Sequence, residues 1–310
     1  MFVSGKRLIS LIMAVSAAIF VTLPALSQGL ITMEGDKCSN DIAAFATLTG
    51  SKVLTAFQPG RIMGRCTAQN VQITRADIEL SVPYMEWKAG SFSGILMGDI
   101  PESMFFTAKG INIVKSPPND PIWAFLKSQS HAQGGIKAAL RFSYDPSEQT
   151  LDITQLALGF AGGHSIGVTA KVHGVSGVLA ASPLQGVLSV VGDEVLVDIN
   201  GRSGFMQDLF AALLMRSFAA KNPDETRSAA MQYVNSEFTY LLAQNDLSDL
   251  RKMVNSLPAP AGSISLGFYA DNGVSAASVA LMLLSDKPDW AKNGVSLSFG
   301  YDPAGFGGAN

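Results

Sequence analysis

Alternation of apolar and polar residues with a period of two recurs along this chain and constrains its fold more than any other feature. In residues 136–144, Ile136, Leu140 and Phe142 fall on one face, whereas Lys137 and Arg141 fall on the other. Because successive side chains of a strand point to opposite faces, this pattern is typical of a strand with one buried face. The chain is therefore expected to be rich in β-sheet.

The same pattern predicts further strands, separated by turn residues such as Asp145-Pro146. We expect strands at 71–82, 105–114, 136–144, 151–160, 166–173, 264–269, 279–284 and 295–301. A tight hairpin is expected at 187–199, with Gly192 and Asp193 in its turn.

Residues 205–256 interrupt the alternation and are predicted to form a helical block. Apolar residues recur there at helical spacing, and Asn222-Pro223 followed by Glu225 is a helix-start signal. We expect helices at 205–220, 223–243 and 247–256. Strands, then helices, then strands indicate an α+β fold, mostly antiparallel, with a long and curved sheet.

Two segments of the sequence resemble each other. Leu140-Arg-Phe-Ser-Tyr-Asp-Pro146 and Leu297-Ser-Phe-Gly-Tyr-Asp-Pro303 are identical at five of seven positions. Upstream of them, residues 121–124 and 288–291 share a proline, a tryptophan and an alanine. One interpretation is that segments 121–146 and 288–303 belong to repeat-like halves of one structure. The other is that strands ending in a Tyr-Asp-Pro turn are simply common.

The first 27 residues have the features of a cleaved secretory signal peptide. Lys6 and Arg7 supply positive charge, residues 8–23 carry none, and Ala25 and Ser27 are small residues before the expected cut. The uncharged run is shorter than the roughly 20 residues of a spanning helix, which disfavours an uncleaved anchor. We expect a periplasmic location, one exported domain at 28–310, and no transmembrane helix in the mature chain.

The charge balance narrows the range of partners. Charged residues are 15% of the chain and the formal net charge is −3, with no basic stripe, so nucleic acid is not an expected partner. An exported protein with so few charges has either a large core or an apolar surface that something else covers. A lipid or other apolar ligand, or an envelope protein partner, would fit the second case.

Cys38 and Cys66 are the only cysteines, and export would place both in an oxidising compartment, so a disulfide between them is expected. The alternatives are two free thiols or a metal pair. A metal needs more ligands, and the chain offers only His131, His164 and His173. No metal or other cofactor is therefore predicted.

The segment Gly163-His164-Ser165-Ile166-Gly167 fits the G-x-S-x-G pattern of the α/β-hydrolase nucleophile elbow. That elbow needs a helix after the serine, whereas the residues after Ser165 alternate as a strand does. No acidic residue lies between Ser165 and His173, which is the last histidine of the chain. We therefore assign no catalytic residues.

These features favour a non-catalytic periplasmic protein that binds an apolar, lipid-like ligand or an envelope protein partner. The first alternative is an exported hydrolase with an unrecognised active site. The second alternative is an outer-membrane β-barrel, although the predicted helices at 205–256 and the final residue Asn310 are atypical of that class.

Overall fold

A computed structural model describes residues 37–56, 59–89, 100–175, 191–217, 223–240, 242–275 and 294–305. Within these ranges the chain forms eleven strands and five α-helices. The strands are β1 (Lys52–Thr55), β2 (Gly60–Ile62), β3 (Arg65–Arg75), β4 (Ile78–Ala89), β5 (Ser103–Lys115), β6 (Ile136–Asp145), β7 (Thr150–Gly159), β8 (Ser165–His173), β9 (Val191–Gly201), β10 (Gly262–Ser275) and β11 (Val295–Asp302). The helices are α1 (Lys37–Thr49), α2 (Pro121–Ser130), α3 (Ser203–Ser217), α4 (Pro223–Glu237) and α5 (Gln244–Asn255).

The strands form a single open sheet whose order nearly follows the chain. From β3 to β11 each strand pairs with the next, β1 lies beyond β3, and β2 also pairs with β3. All of these pairs are antiparallel. The prediction of a mostly antiparallel sheet accompanied by helices is confirmed.

The strand ends form two rows, which we call the upper and lower ends of the sheet. At the upper end β6 turns into β7, with Asp145 opposite Thr150. At the lower end β7 leads to β8, with Gly159 opposite Ser165.

The two faces of the sheet differ in polarity. Directly opposed residues on neighbouring strands define the apolar inner face, and one such row runs across six strands from β6 to β11. Its members are Ala138, Leu158, Ile166, Ile199, Ile264 and Tyr301. The opposite, outer face carries most of the charged residues of these strands.

Helices cover the inner face in two places. The large core lies at the lower end, where α2, α3, α4 and α5 pack together and against the row just described. Met206 of α3 and Leu247 of α5 are its most deeply buried side chains, 0% and 1% exposed. The small core lies under α1 and consists mainly of Cys38, Ala44, Cys66, Ala68, Val71, Val82, Met85, Trp87, Ala89 and Ala108.

Two strand predictions are wrong. Residues 71–82 are not one strand, because Ala76, with a φ of 47°, lies in the turn between β3 and β4. The hairpin at 187–199 is also wrong, since Gly192 and Asp193 lie inside β9, and Gly192 pairs with both β8 and β10. Residues 187–190 and the predicted strand at 279–284 lie outside the described residues.

The helices differ from prediction in number and in bounds. Helices α1 and α2 have no counterpart in the predicted set. The helix expected at 223–243 ends at Glu237 and is followed by a 3₁₀ turn, Phe238–Tyr240, before α5 begins at Gln244. Asp120 caps α2 by accepting hydrogen bonds from the backbone N–H groups of Ile122 and Trp123.

The two similar sequence segments have the same local structure. They form the ends of β6 and β11, which are five strands apart in the sheet and run in opposite directions. The carboxylate of Asp145 accepts a hydrogen bond from the backbone N–H of Ser147 at 2.8 Å, and that of Asp302 accepts one from Ala304 at 2.9 Å. Each segment therefore ends its strand in an Asx turn.

Candidate functional site

An apolar strip continues the inner face upward from the large core, across β6, β7, β8 and β9. It consists of two rows of directly opposed residues. The lower row is Leu140, Leu156, Val168 and Val197, and the upper row is Phe142, Ile153, Ala170 and Val195. The apolar strip contains no polar side chain, so it can contribute burial of apolar surface but no acid, base or nucleophile.

The helices that the structure describes pack beside the apolar strip and not on it. None of its eight residues belongs to the large core or to the small core. Ile153, Val168 and Ala170 are buried, and the other five residues are half-buried. The chain thus repeats apolar residues at alternate positions of four strands without placing a described helix over them.

The outer face behind the apolar strip carries polar residues, although Leu196 also lies there. Arg141 and Gln155 oppose each other there, next in sequence to Leu140 and Leu156. Asp198 occupies the same face in β9 and is exposed. The alternation that predicted strands therefore separates an apolar face from a polar one.

Cys38 and Cys66 form the predicted disulfide. Their Cα atoms are 5.4 Å apart, and the bond joins α1 to β3 across a sequence separation of 28 residues. Next to it, the buried carboxylate of Asp41 accepts a hydrogen bond from Trp87 Nε1 at 3.0 Å. Lys37 Nζ donates both to Asp41 at 3.1 Å and to the carbonyl oxygen of Ala89 at 3.0 Å.

Sequence reasoning found the disulfide but missed this polar contact. The spacing of Lys37 and Asp41 allows an ion pair along a helix, yet nothing in the sequence connects them with Trp87, which is 46 residues from Asp41. The contact attaches α1 to the sheet and supplies hydrogen bonds to a buried carboxylate.

Ser165 is not placed in a nucleophile elbow. It is the first residue of the nine-residue strand β8, so the residues after it form a strand and not a helix. The imidazole of the adjacent His164 stacks on Phe205, with ring centroids 4.6 Å apart, and its Nδ1 accepts a hydrogen bond from the backbone N–H of Arg202. Burial, aided by the positive charge of Arg202, lowers the pKa of His164.

His173 lies at the other end of β8 from Ser165. Its Nδ1 is 2.9 Å from an oxygen of Asp193. His173 is eight residue steps along the extended strand from Ser165, or roughly 26 Å. Ser165 therefore lies too far from His173 and Asp193 to form a catalytic triad with them.

The remaining acidic residues do not form a metal site within the described part of the chain. No group of three His, Cys, Asp or Glu side chains comes together there in a way that could hold a metal ion. Asp77 and Lys115 form an exposed ion pair at 3.5 Å. Residues 198–204 resemble part of a calcium loop but lack its spacing and terminal glutamate, and they run from β9 into α3.

No known protein-family model matches this chain, and no curated protein sequence is significantly similar to it. Among the helices that the structure describes, none is both long enough and apolar enough to cross a membrane.

Proposed function

We propose that the protein is a non-catalytic periplasmic binding protein that holds an apolar, lipid-like ligand on the apolar strip. The observation that carries this proposal is the pair of uninterrupted apolar rows across four strands. Apolar patches mark binding sites where they reach the surface, and five of the eight residues of the apolar strip are half-buried. Its position beside the large core would give the ligand a preformed wall of helices.

The size of the apolar strip suits a hydrocarbon chain. Four neighbouring strands extend over roughly 14 Å between the first and the last. A ligand that buries about ten methylene groups there would gain roughly 8 kcal/mol, from which the entropy cost of binding is subtracted. After an association cost of about 4 kcal/mol, roughly 4 kcal/mol remains, which corresponds to a Kd near 1 mM. Tighter binding therefore requires a longer hydrocarbon chain or contacts beyond the apolar strip.

Two features support export. Residues 1–27 have the sequence of a signal peptide, which leaves 28–310 as one exported domain. The disulfide between Cys38 and Cys66 is of a kind that persists in oxidising compartments.

We further infer that residues 205–256 act as one helical block and that the sheet is curved, with its inner face concave. The shared membership of α3, α4 and α5 in the large core supports the first inference. The regular twist of antiparallel sheets, summed over eleven strands, supports the second. The common Asx turns of β6 and β11 support repeat-like halves at 121–146 and 288–303.

Native mass spectrometry of protein purified from the periplasm without detergent, with an organic extract analysed in parallel, tests the proposal. We expect a reproducible mass excess that the extract identifies as a lipid. A bare chain that instead forms a stable complex with an envelope protein would replace the apolar ligand with a protein partner.

Two adjacent residues of β9 provide a matched pair of variants. Val197 belongs to the apolar strip, whereas Leu196 lies on the outer face, opposite Thr169. Val197→Thr is nearly isosteric and places a hydroxyl group in the lower row, so we expect it to reduce the mass excess. Leu196→Thr should leave the mass excess unchanged.

A further inference from the structure

The outer face carries a basic cleft at the upper end of β3 to β7. The cleft has a volume of about 410 Å³, and its lining includes Arg65, Lys88, Ser103, Phe105, Arg141 and Thr154. Phe105 lies directly between Lys88 and Arg141 in the strand register. The basic side chains of the cleft therefore come from outward-facing positions of neighbouring strands, whereas Met104 and Phe142, which also line it, occupy inner-face positions.

Positive charge in the cleft exceeds negative charge. The guanidinium groups of Arg65 and Arg141 lie 4.8 Å and 5.6 Å from the centre of the Phe105 ring. Arg65 also donates to Glu86 at 2.7 Å. Among the described residues, neither Lys88 nor Arg141 has a carboxylate partner.

This local excess of positive charge contrasts with the whole chain, whose formal net charge is −3. Among the described residues that line the cleft none is acidic, although Asp152 lies directly opposite Ser143 and Glu86 pairs with Arg65. Glu102 precedes Ser103, and the carboxylate of Asp145 is engaged by the backbone and hydroxyl of Ser147. The two unpaired cations are thus available to an anionic group.

The turn between β2 and β3 adds an exposed apolar tip beside this cleft. Met63 is 99% exposed and Ile62 is 60% exposed. Met63 and Gly64 have φ angles of 47° and 78°, the left-handed pair of a type I′ turn. Asparagine and aspartate tolerate the first of these positions far better than methionine does. A methionine at position 63 is therefore favoured neither by the backbone conformation of the turn nor by burial in the core.

The tip and the cleft meet at Arg65, which follows Gly64 directly and lines the cleft. We propose that this corner of the molecule docks on an anionic phospholipid bilayer. Ile62 and Met63 enter the interfacial region, and a headgroup phosphodiester lies in the cleft against Lys88 and Arg141. The proposal does not require the apolar ligand, because Lys88 and Arg141 lie at outer-face positions on either side of Phe105.

Vesicle co-sedimentation tests this surface. The protein is expected to bind vesicles of phosphatidylglycerol mixed with phosphatidylcholine, to bind less as salt is added, and not to bind phosphatidylcholine alone. Each basic residue near an anionic surface contributes about fivefold, so the double variant Lys88→Gln/Arg141→Gln should bind roughly 25-fold more weakly. The matched control Lys137→Gln/Lys171→Gln removes two exposed outer-face charges outside the cleft and should lower binding much less.

Met63→Asn separates docking from folding. Asparagine before glycine suits a type I′ turn, so this variant should unfold at the same temperature as the parent protein or higher, yet bind vesicles more weakly. Any of three results would overturn the proposal. The Met63→Asn variant could bind vesicles as strongly as the parent protein, the two double variants could lose the same amount of binding, or the parent protein could bind both kinds of vesicle equally. Titration with glycerol 3-phosphate completes the test, since binding of that soluble ester without vesicle binding would also overturn membrane docking.

Discussion

The two helical covers of the inner face are held in place by different forces. The large core joins four helices to the sheet through apolar packing that includes Met206 and Leu247. Over the small core lies the single helix α1, which is fastened by the Cys38–Cys66 disulfide and by the Asp41–Trp87 hydrogen bond. One short helix buries too little apolar surface to hold its position by packing alone, so covalent and polar contacts replace the missing area.

The contacts that attach α1 to the sheet are made by residues at its N-terminal end. Lys37, Cys38 and Asp41 all lie within its first five residues, and all three contact β3 or the end of β4. If this contrast between the two covers is correct, removal of specific contacts should loosen the small core locally, whereas loss of packing should destabilise the whole domain.

The largest effect is expected from the double variant Cys38→Ser/Cys66→Ser. Loss of a cross-link over 28 residues should lower the free energy of unfolding by about 3–4 kcal/mol in the chain-entropy model. Urea denaturation measures the loss, and hydrogen exchange locates it. We expect the amides of α1 to lose protection and those of α5 to keep it; equal losses in both helices would contradict the contrast.

Val234→Ala should have the next largest effect and should act through the large core. Val234 is 3% exposed, and removal of two buried carbon atoms should cost about 2 kcal/mol. Here hydrogen exchange should accelerate throughout the slowest-exchanging strands, because the large core stabilises the domain as a unit. A loss confined to α4 would show that the large core is not cooperative with the sheet.

Asp41→Asn should cost less, about 1 kcal/mol, because the amide oxygen still accepts the hydrogen bond from Trp87 while the charge-assisted contact with Lys37 is lost. Asp77→Asn is the matched control, since its ion pair with Lys115 is exposed. Thermal unfolding of the two variants should show a decrease for Asp41→Asn and little change for Asp77→Asn.

The smallest effect concerns pH. Because burial lowers the pKa of His164 from its ordinary value of 6.5, the unfolded chain binds a proton more readily than the folded protein. The neutral His164 therefore contributes fully to the stability of the fold at pH values above 6.5, and this contribution is lost as the pH falls below 6.5. His164→Gln should therefore reduce the loss of stability between neutral and mildly acidic pH. An unchanged pH profile would contradict a role for the neutral ring against Phe205.

The strands were predictable wherever one face is buried and the other is exposed to solvent. In β6, Ile136 and Phe142 face inward whereas Arg141 faces outward, and a period of two is the direct result. The turn at Ala76 was missed because its other residue, Asp77, alternates with Ile78, Glu79 and Leu80 and was therefore interpreted as part of the strand. Gly192 and Asp193 suggest a turn, but β8 and β10 supply hydrogen-bond partners on both sides of β9 and keep it extended.

The candidate site was only partly predictable. Alternation indicates that Leu140 and Val197 face inward, yet it gives no strand register, and only register places them in one row. The basic cleft depends on register in the same way, since Arg65 and Arg141 are distant in sequence and contact the same Phe105 ring.

Photo-crosslinking tests the central claim most directly. The protein is loaded with a long-chain fatty acid that carries a diazirine in its hydrocarbon chain, irradiated, and mapped by peptide mass spectrometry. The apolar strip predicts labels on inward-facing residues such as Leu156, Val168 and Val197, with outer-face neighbours such as Gln155 and Thr169 unlabelled. Labels spread equally over both faces, or no labelling of β6 to β9, would contradict the proposed ligand site.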